Sequence, residues 1–248
     1  FGLLNDVEQW TLLDPVYKAY TKDLCGYAER GEKEWKRLLG SFFAEGVNIA
    51  VVKNDEGQIE GYAVYRLGAP EIPVTEFVYT TRRAQRGLLN YFYNHRSQGE
   101  SIRWYEGLHD TGYRFVPDGK TGHTTMPYMM ARIVDVETAL TTVPVNPEAV
   151  MMPITLNIKV TDTLCDWNNG VFALTLGEST LPNVKRVSAE SVGEIDITID
   201  IGGLTVLLMG AVSAKDLVFE GKLQGESHWI DYLDMVYPKQ NTYINEWW

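Results

Sequence analysis

Cysteine is nearly absent. Only Cys25 and Cys165 occur in 248 residues, far apart and in no C-x-x-C pair, which argues against a disulfide framework or a zinc ribbon and fits a reducing cytoplasm. Long apolar runs are missing too: none approaches the ~18 residues that span a bilayer, and no basic, apolar, small-residue leader opens the chain. Histidine is sparse. His95, His109, His123 and His228 are scattered, with no H-E-x-x-H and no second carboxylate or thiol at ligand spacing, so no metal site is expected. Ser179, Ser188, Ser191 and Ser213 lack a G-x-S-x-G elbow, which argues against an α/β-hydrolase nucleophile. Positive charge is in deficit, 22 Lys and Arg against 33 Asp and Glu, and the formal net charge is −11. That balance repels phosphate backbones and anionic lipid, so neither nucleic acid nor a membrane is an expected partner. Finally, the opening "FGLLNDVEQW" has no Met and no evident capping signal, so a piece of a longer protein is expected.

What is present suffices for two cores. With 45% hydrophobic and 12% aromatic residues, a chain of this length is expected to form two compact domains. Two helices are predicted near Pro15 to Leu24 and Gly31 to Leu39, the first with Asp14 as N-cap. "NIAVVKNDEGQIEGYAVYRL" reads as two strands around an Asn54-Asp55-Glu56-Gly57 turn. "VTEFVYTT" is a third strand, Arg82 to Arg96 a helix capped by Thr80 or Thr81, and "SIRWYEG" a fourth strand. Periodicity lapses from Gly107 to Pro127, which reads as a connector, giving domains 1–127 and 128–248. In the second, "ARIVDVETAL" predicts a short strand and then a helix capped by Asp135. "ITLNIKVTD" and "GVFALTLG" alternate as strands, and "EIDITIDI" places Ile195, Ile197, Ile199 and Ile201 on one face. "GGLTVLLMGA", "SAKDLVFEG" and "WIDYLDMVYP" read as helices, and "TYINEWW" as extended chain. The expected class is α+β in both halves: a layered α/β arrangement first, then strands followed by helices.

Several fragments resemble one family. "LCGYAERGEKEW" carries Gly26, Arg30 and Trp35 in a G-x-x-x-R-x-x-x-x-W pattern. "GYAVYRL" from Gly61, "MMARIVDVETAL" from Met129, "CDWNNGVFAL" from Cys165 and "LDMVYP" with the terminal "TYINEWW" follow in order. In order and spacing they resemble the two C-terminal domains of the Enhanced intracellular survival (Eis) family of N-acetyltransferases, across nearly the whole chain. The resemblance implies a second GNAT-like mixed sheet that has lost its cofactor loop, followed by a sterol-carrier-protein-like domain. It also implies a preceding catalytic domain that holds acetyl-CoA and a tyrosine general acid, so no cofactor is expected in this chain.

The stretch "TTRRAQRGLLNYFYNHR", Thr80 to Arg96, tests that implication. An acetyl-CoA loop of the form Q/R-x-x-G-x-G/A offers free backbone N–H groups at a helix N-terminus, with small residues that let the pyrophosphate approach. With Gly87 as its first glycine, Ala84 stands where Gln or Arg belongs and Leu89 where Gly or Ala belongs. Only the outline survives, and a packed helix is the expectation.

The resemblance further implies that the C-terminal carboxylate, here that of Trp248, acts as base toward the substrate amine, with Glu246 and Trp247 beside the substrate. The expected activity is acetyl transfer to a primary amine of aminoglycoside-like or polyamine-like type, by a homo-oligomer, with this chain inactive alone. Two other readings compete: a lipid- or small-molecule-binding module using the apolar "GGLTVLLMGAV" run as a tunnel lining, and an assembly domain using Trp10, Trp104 and Tyr105.

Overall fold

The computed structural model describes residues 1–68, 70–115, 121–126, 129–150, 152–177 and 179–246. They form two compact units, Pro127–Asn241 being one and Phe1–Met126 with the residues from Thr242 onward the other.

The first unit is built on a five-stranded sheet in sequence order: β1 Gly2–Leu4, β2 Asn48–Lys53, β3 Ile59–Tyr65, β4 Glu71–Tyr79 and β5 Ser101–Trp104. All neighbours are antiparallel except β4 and β5, whose parallel pairing ends at Val74 and Trp104 while β4 runs on to Tyr79. Alternation along the strands feeds two cores. Ile49, Val51, Tyr62 and Val64 pack with Leu13, Val16 and Tyr17 of α1 (Trp10–Thr21) and Trp35 and Leu39 of α2 (Glu32–Ala44). Ala50, Val52, Ala63 and Tyr65 pack with Ala84, Leu88 and Phe92 of α3 (Arg82–Asn94). The β2–β3 turn forms as expected, with Asn54 Oδ1 accepting from the N–H groups of Glu56 and Gln58, and Gly57 at φ +82°.

Two expectations fail here. The first helix starts at Trp10, with Pro15 inside it, and the opening residues do carry a cap, on the 3-10 turn Val7–Gln9 that leads into it: Asp6 Oδ1 accepts from Glu8 N–H at 2.9 Å and Gln9 Oε1 from Asp6 N–H at 3.1 Å. Asp14, expected as the cap, instead accepts from Trp35 Nε1 at 3.0 Å and pairs with Lys18. The three-residue edge strand β1 was not foreseen either.

The second unit has a sheet of order β10-β9-β6-β7-β8. Its strands are β6 Ile154–Thr161, β7 Gly170–Leu176, β8 Asn183–Val187, β9 Ile197–Asp200 and β10 Leu223–Gly225, with β6 and β9 parallel and the other pairs antiparallel. Helices α4 Val136–Thr142, α5 Ile201–Leu208, α6 Ala214–Phe219 and α7 Ser227–Val236 accompany it, and Leu156, Phe172, Ile199, Leu204 and Leu233 lie in one shared core. The Ile alternation is cut at Asp200, whose side chain accepts from Gly203 N–H at 2.6 Å and starts α5 at Ile201. The strand expected over Ala131 to Val134 is absent. Its backbone is satisfied by side chains instead of a ladder: Ile133 N–H donates to Thr205 Oγ1, and Val134 O accepts from Trp167 Nε1 and Asn168 Nδ2. Asp135 caps α4 as expected. The molecule is thus α+β with two mixed sheets.

Candidate functional site

Two places in the first unit concentrate polar chemistry, and both lie toward the end of β4. At the β4–α3 junction no glycine loop intervenes. Thr81 closes the helix start, its Oγ1 accepting from Ala84 N–H at 3.1 Å, which occupies a donor that an anion-binding turn would leave free. Gly87 sits in mid-helix, where an added Cβ would stand 3.4 Å from Val52, so it serves packing on β2. Arg83 turns to Glu60 at 2.9 Å.

Beside the first turns of α3, Gln85 Nε2 donates to Tyr79 Oη at 2.9 Å, and Tyr79 Oη donates to Asp110 Oδ2 at 2.5 Å. Asp110 also accepts from Gly112 N–H at 2.7 Å. Glu106 accepts from Trp104 Nε1 at 2.9 Å and has His123 Nε2 at 3.5 Å. Burial pushes the Glu106 carboxyl above its ordinary range, the Trp104 hydrogen bond opposing and Asp110 reinforcing the shift. Burial likewise raises the Tyr79 phenol, aided by Asp110. The Thr81 cap takes one helix-start N–H and two largely buried carboxylates stand near the first turns of α3, which leaves the junction less open to an anion than a glycine loop would be.

The second place is the C-terminal segment. Thr242 bridges to Cys25, and Tyr243 N–H donates to Cys25 O at 2.9 Å. The buried Tyr243 ring lies 5.4 Å from Tyr20 and 6.4 Å from His109. Asn245 Nδ2 donates at 2.6 Å to the carbonyl of Thr75, the first β4 residue past the last β4–β5 pair. Glu246 Oε1 then accepts from Arg30 Nε at 2.7 Å. Nη2 of the same guanidinium is shared, 2.7 Å from Glu246 Oε1 and bonded to Glu76 Oε1, Nη1 donates to Glu76 Oε2, and Tyr62 Oη donates to Glu76 Oε2 at 2.8 Å. Arg30 also lies over Tyr17 and Trp35, 4.2 and 4.7 Å from their ring centroids. Arg30, Glu76 and Glu246 are 6%, 2% and 8% exposed. Burial would lower the Arg30 pKa, but Glu76 with Tyr62 and Tyr17 carries it upward, so the cation persists.

Of the residues singled out in the sequence, Glu246 is held by Arg30, and Trp247 and Trp248 lie outside the described residues. Arg30 was noted only as part of a pattern, and Glu76 not at all. Its one signal was an acidic residue inside the apolar strand "VTEFVY".

In the second unit a cleft of 290 Å³ is lined by Val143, Val145, Leu207, Leu208 and Val236, among others. Much of the "GGLTVLLMGAV" run fills the core, Leu204 being 2% exposed. Trp10 and Trp104 pack partly buried against the two cores of the first unit. Among the described residues no group of three or more His, Cys, Asp or Glu is placed to hold a metal, and no helix is long and apolar enough to cross a membrane.

Comparison with known proteins agrees with the two sheets. Residues 26–133 match the family model described as an acetyltransferase (GNAT) domain, and residues 136–245 the one described as a sterol carrier protein domain. Each model matches a little under half of the chain, the first over the larger sheet-bearing part of one unit and the second over the other. GNAT acetyltransferases use acetyl-CoA. No curated protein matches the sequence. Among solved structures, the chain is similar to a probable N-acyltransferase of Enterococcus faecalis V583, with TM-score 0.83 and 22% identity over 99% of this chain and 61% of that one. It is also similar to a GCN5-related N-acetyltransferase of Anabaena variabilis, with TM-score 0.80 and 19% identity over 100% and 62%. A third is Eis1 of Mycobacterium abscessus, with TM-score 0.67 and 21% identity over 100% and 62%. At these identities the likeness is one of fold. The chain spans about three-fifths of the length of each.

Proposed function

We propose that this chain is the acceptor-side part of an Eis-type, acetyl-CoA-dependent N-acetyltransferase, with residues 1–127 as a cofactor-free GNAT-like domain and 128–248 as the sterol-carrier-like domain, except that the stretch from Thr242 onward packs with the first unit. In this reading acetyl-CoA is held by a further GNAT domain outside the chain, and the chain alone is inactive. A homo-oligomeric, cytoplasmic protein goes with it. The observation that carries the reading is the β4–α3 junction, where Thr81 caps the helix and Asp110 and Glu106 stand beside it.

The part left to this chain is proton handling at the acceptor. A primary amine resembling lysine, of pKa about 10.4, is protonated at neutral pH and must lose a proton before it can attack. The α-carboxylate of Trp248, with an ordinary pKa of about 3.3 to 3.7, takes that proton, and apolar surroundings strengthen it as a base. Glu246 and Trp247 flank the acceptor. One guanidinium faces two carboxylates in the Arg30, Glu76 and Glu246 group, and the surplus formal negative charge favours a cationic, aminoglycoside-like or polyamine-like amine.

The test compares this chain with the same gene product carrying whatever sequence precedes it, in an acetyl-CoA-dependent assay against aminoglycosides and polyamines. Activity confined to the longer protein and lost on removal of Trp248 is expected. Activity of this chain alone overturns the reading. A second reading, a lipid- or small-molecule-binding module, rests on the cleft of the second unit, whose lining mixes Val143, Val145 and Leu207 with Asn146 and Gln240. Saturable binding of a fluorescent fatty acid, abolished by V145W, supports it.

A further inference from the structure

The cleft of the second unit is bordered by a polar group that the fold leaves unsatisfied. Tyr237 lines it, yet this residue is 4% exposed and its hydroxyl is buried without a hydrogen-bond partner. Buried polar groups are nearly always paired, so an orphan calls for a reason. Burial raises the pKa of the phenol, which keeps its proton at neutral pH and offers a donor. Main-chain donors beside it are spent. The N–H groups of Val145, Asn146, Gly210 and Gln240 go to the carbonyls of Thr180, Val236, Leu207 and Gly210, and Pro144 and Pro238 have none. Asn146 Nδ2 donates to Met235 O at 3.2 Å. No Lys, Arg, His, Asp or Glu is among the lining residues.

We infer that this cleft takes a compact, uncharged, largely apolar molecule with one hydrogen-bond acceptor, such as a ketone, whose oxygen is received by the Tyr237 hydroxyl. The inference rests on the second reading given above, the binding module, and narrows it. Val143, Val145, Leu207, Leu208 and Val236 supply apolar wall, and the 290 Å³ of the cleft stands at the lower end of the range for ligand sites. At the ~30 Å³ of a water molecule it has room for about ten non-hydrogen atoms, fewer than a sterol or a long acyl chain brings. A carboxylate or an ammonium group would lie there without a counter-ion, which costs far more than burying a carbonyl. The cleft therefore separates neutral ligands from fatty acids, and from the cationic amines proposed as acetyl acceptors. Because the hydroxyl is closed to solvent, the ring shifts slightly toward the cleft as the acceptor arrives. The Gln240 side chain is exposed and needs no ligand.

The test titrates the chain at pH 7.5 with 2-nonanone and with nonanoate, following the methyl NMR signals of Val145, Leu207, Leu208 and Val236 and the ring signals of Tyr237. 2-Nonanone is expected to shift them saturably and to bind about tenfold tighter than nonanoate, or more. In Y237F its affinity is expected to fall about tenfold, the worth of one hydrogen bond. Y237F is also expected to melt no lower than wild type, since the hydroxyl it removes bonds nothing in the free protein, and a folding defect then cannot mimic the loss. A lower melt overturns the inference by showing that the hydroxyl is bonded. Undiminished 2-nonanone binding by Y237F, or nonanoate bound as tightly as the ketone, overturns it as well, and if V145W still abolishes that binding the binding-module reading survives. A fluorescent fatty acid that binds where 2-nonanone does not has the same two consequences. Failure of the ketone, nonanoate and the fluorescent fatty acid alike overturns the inference and the binding-module reading together.

Discussion

Arg30 is the residue on which most of the first unit's buried charge depends. Replacing it with Met leaves Glu76 and Glu246 buried without a counter-ion, a situation that typically costs about 3 to 5 kcal/mol. R30M is expected to show that loss in urea denaturation, whereas E246A, which keeps a buried pair, loses less. Glu106 makes the opposite kind of contribution. Burial raises its folded pKa above the ordinary 4.5, and Asp110 reinforces the shift. Between 4.5 and that higher value the folded chain binds more protons than the unfolded one, so this group's contribution to stability falls as pH rises through the window. E106Q can still accept from Trp104 Nε1. It is expected to melt higher than wild type at pH 7.5, with the advantage vanishing below about pH 4; thermal melts across pH 3.5 to 8 check this.

Among elements, α3 is packed closely on the sheet from its first turns. Gly61 of β3 lies under it: an added Cβ would meet Val78 O at 3.0 Å, Ala84 Cβ at 3.1 Å and Leu88 Cδ1 at 3.4 Å. G61A is expected to cost about 1 to 3 kcal/mol through overpacking, and T81A about 1 kcal/mol through loss of the cap, both read by chemical denaturation. The same contacts explain which elements were legible in the sequence. Thr81 before an apolar stripe and Asn54 to Gly57 between alternating runs are local signals, and the structure keeps both. Strands β1, β8 and β10 border their sheets and have three to five residues, too few for alternation to speak. "ARIV" has the composition of a strand, but Thr205, Trp167 and Asn168 satisfy its backbone, and no local pattern reveals partners so distant. The Arg30 cluster was hidden for the same reason, its three members coming from a loop, a strand and the last residues of the chain.

At the scale of the whole molecule, the path of the chain matters more than either sheet. Truncation after Asn241 removes Tyr243, Asn245 and Glu246 from the first unit. It is expected to speed amide exchange in β3 and β4 while leaving β6 and β7 protected, as hydrogen exchange by mass spectrometry would register. The first unit is discontinuous in sequence, with the whole of the second inserted before its final strip. During synthesis, therefore, Arg30 and Glu76 are made long before Glu246. At about 5 to 20 residues per second, making residues 127–241 takes on the order of ten seconds. For that interval Tyr20 lacks its neighbour Tyr243 and Thr75 O lacks its donor Asn245.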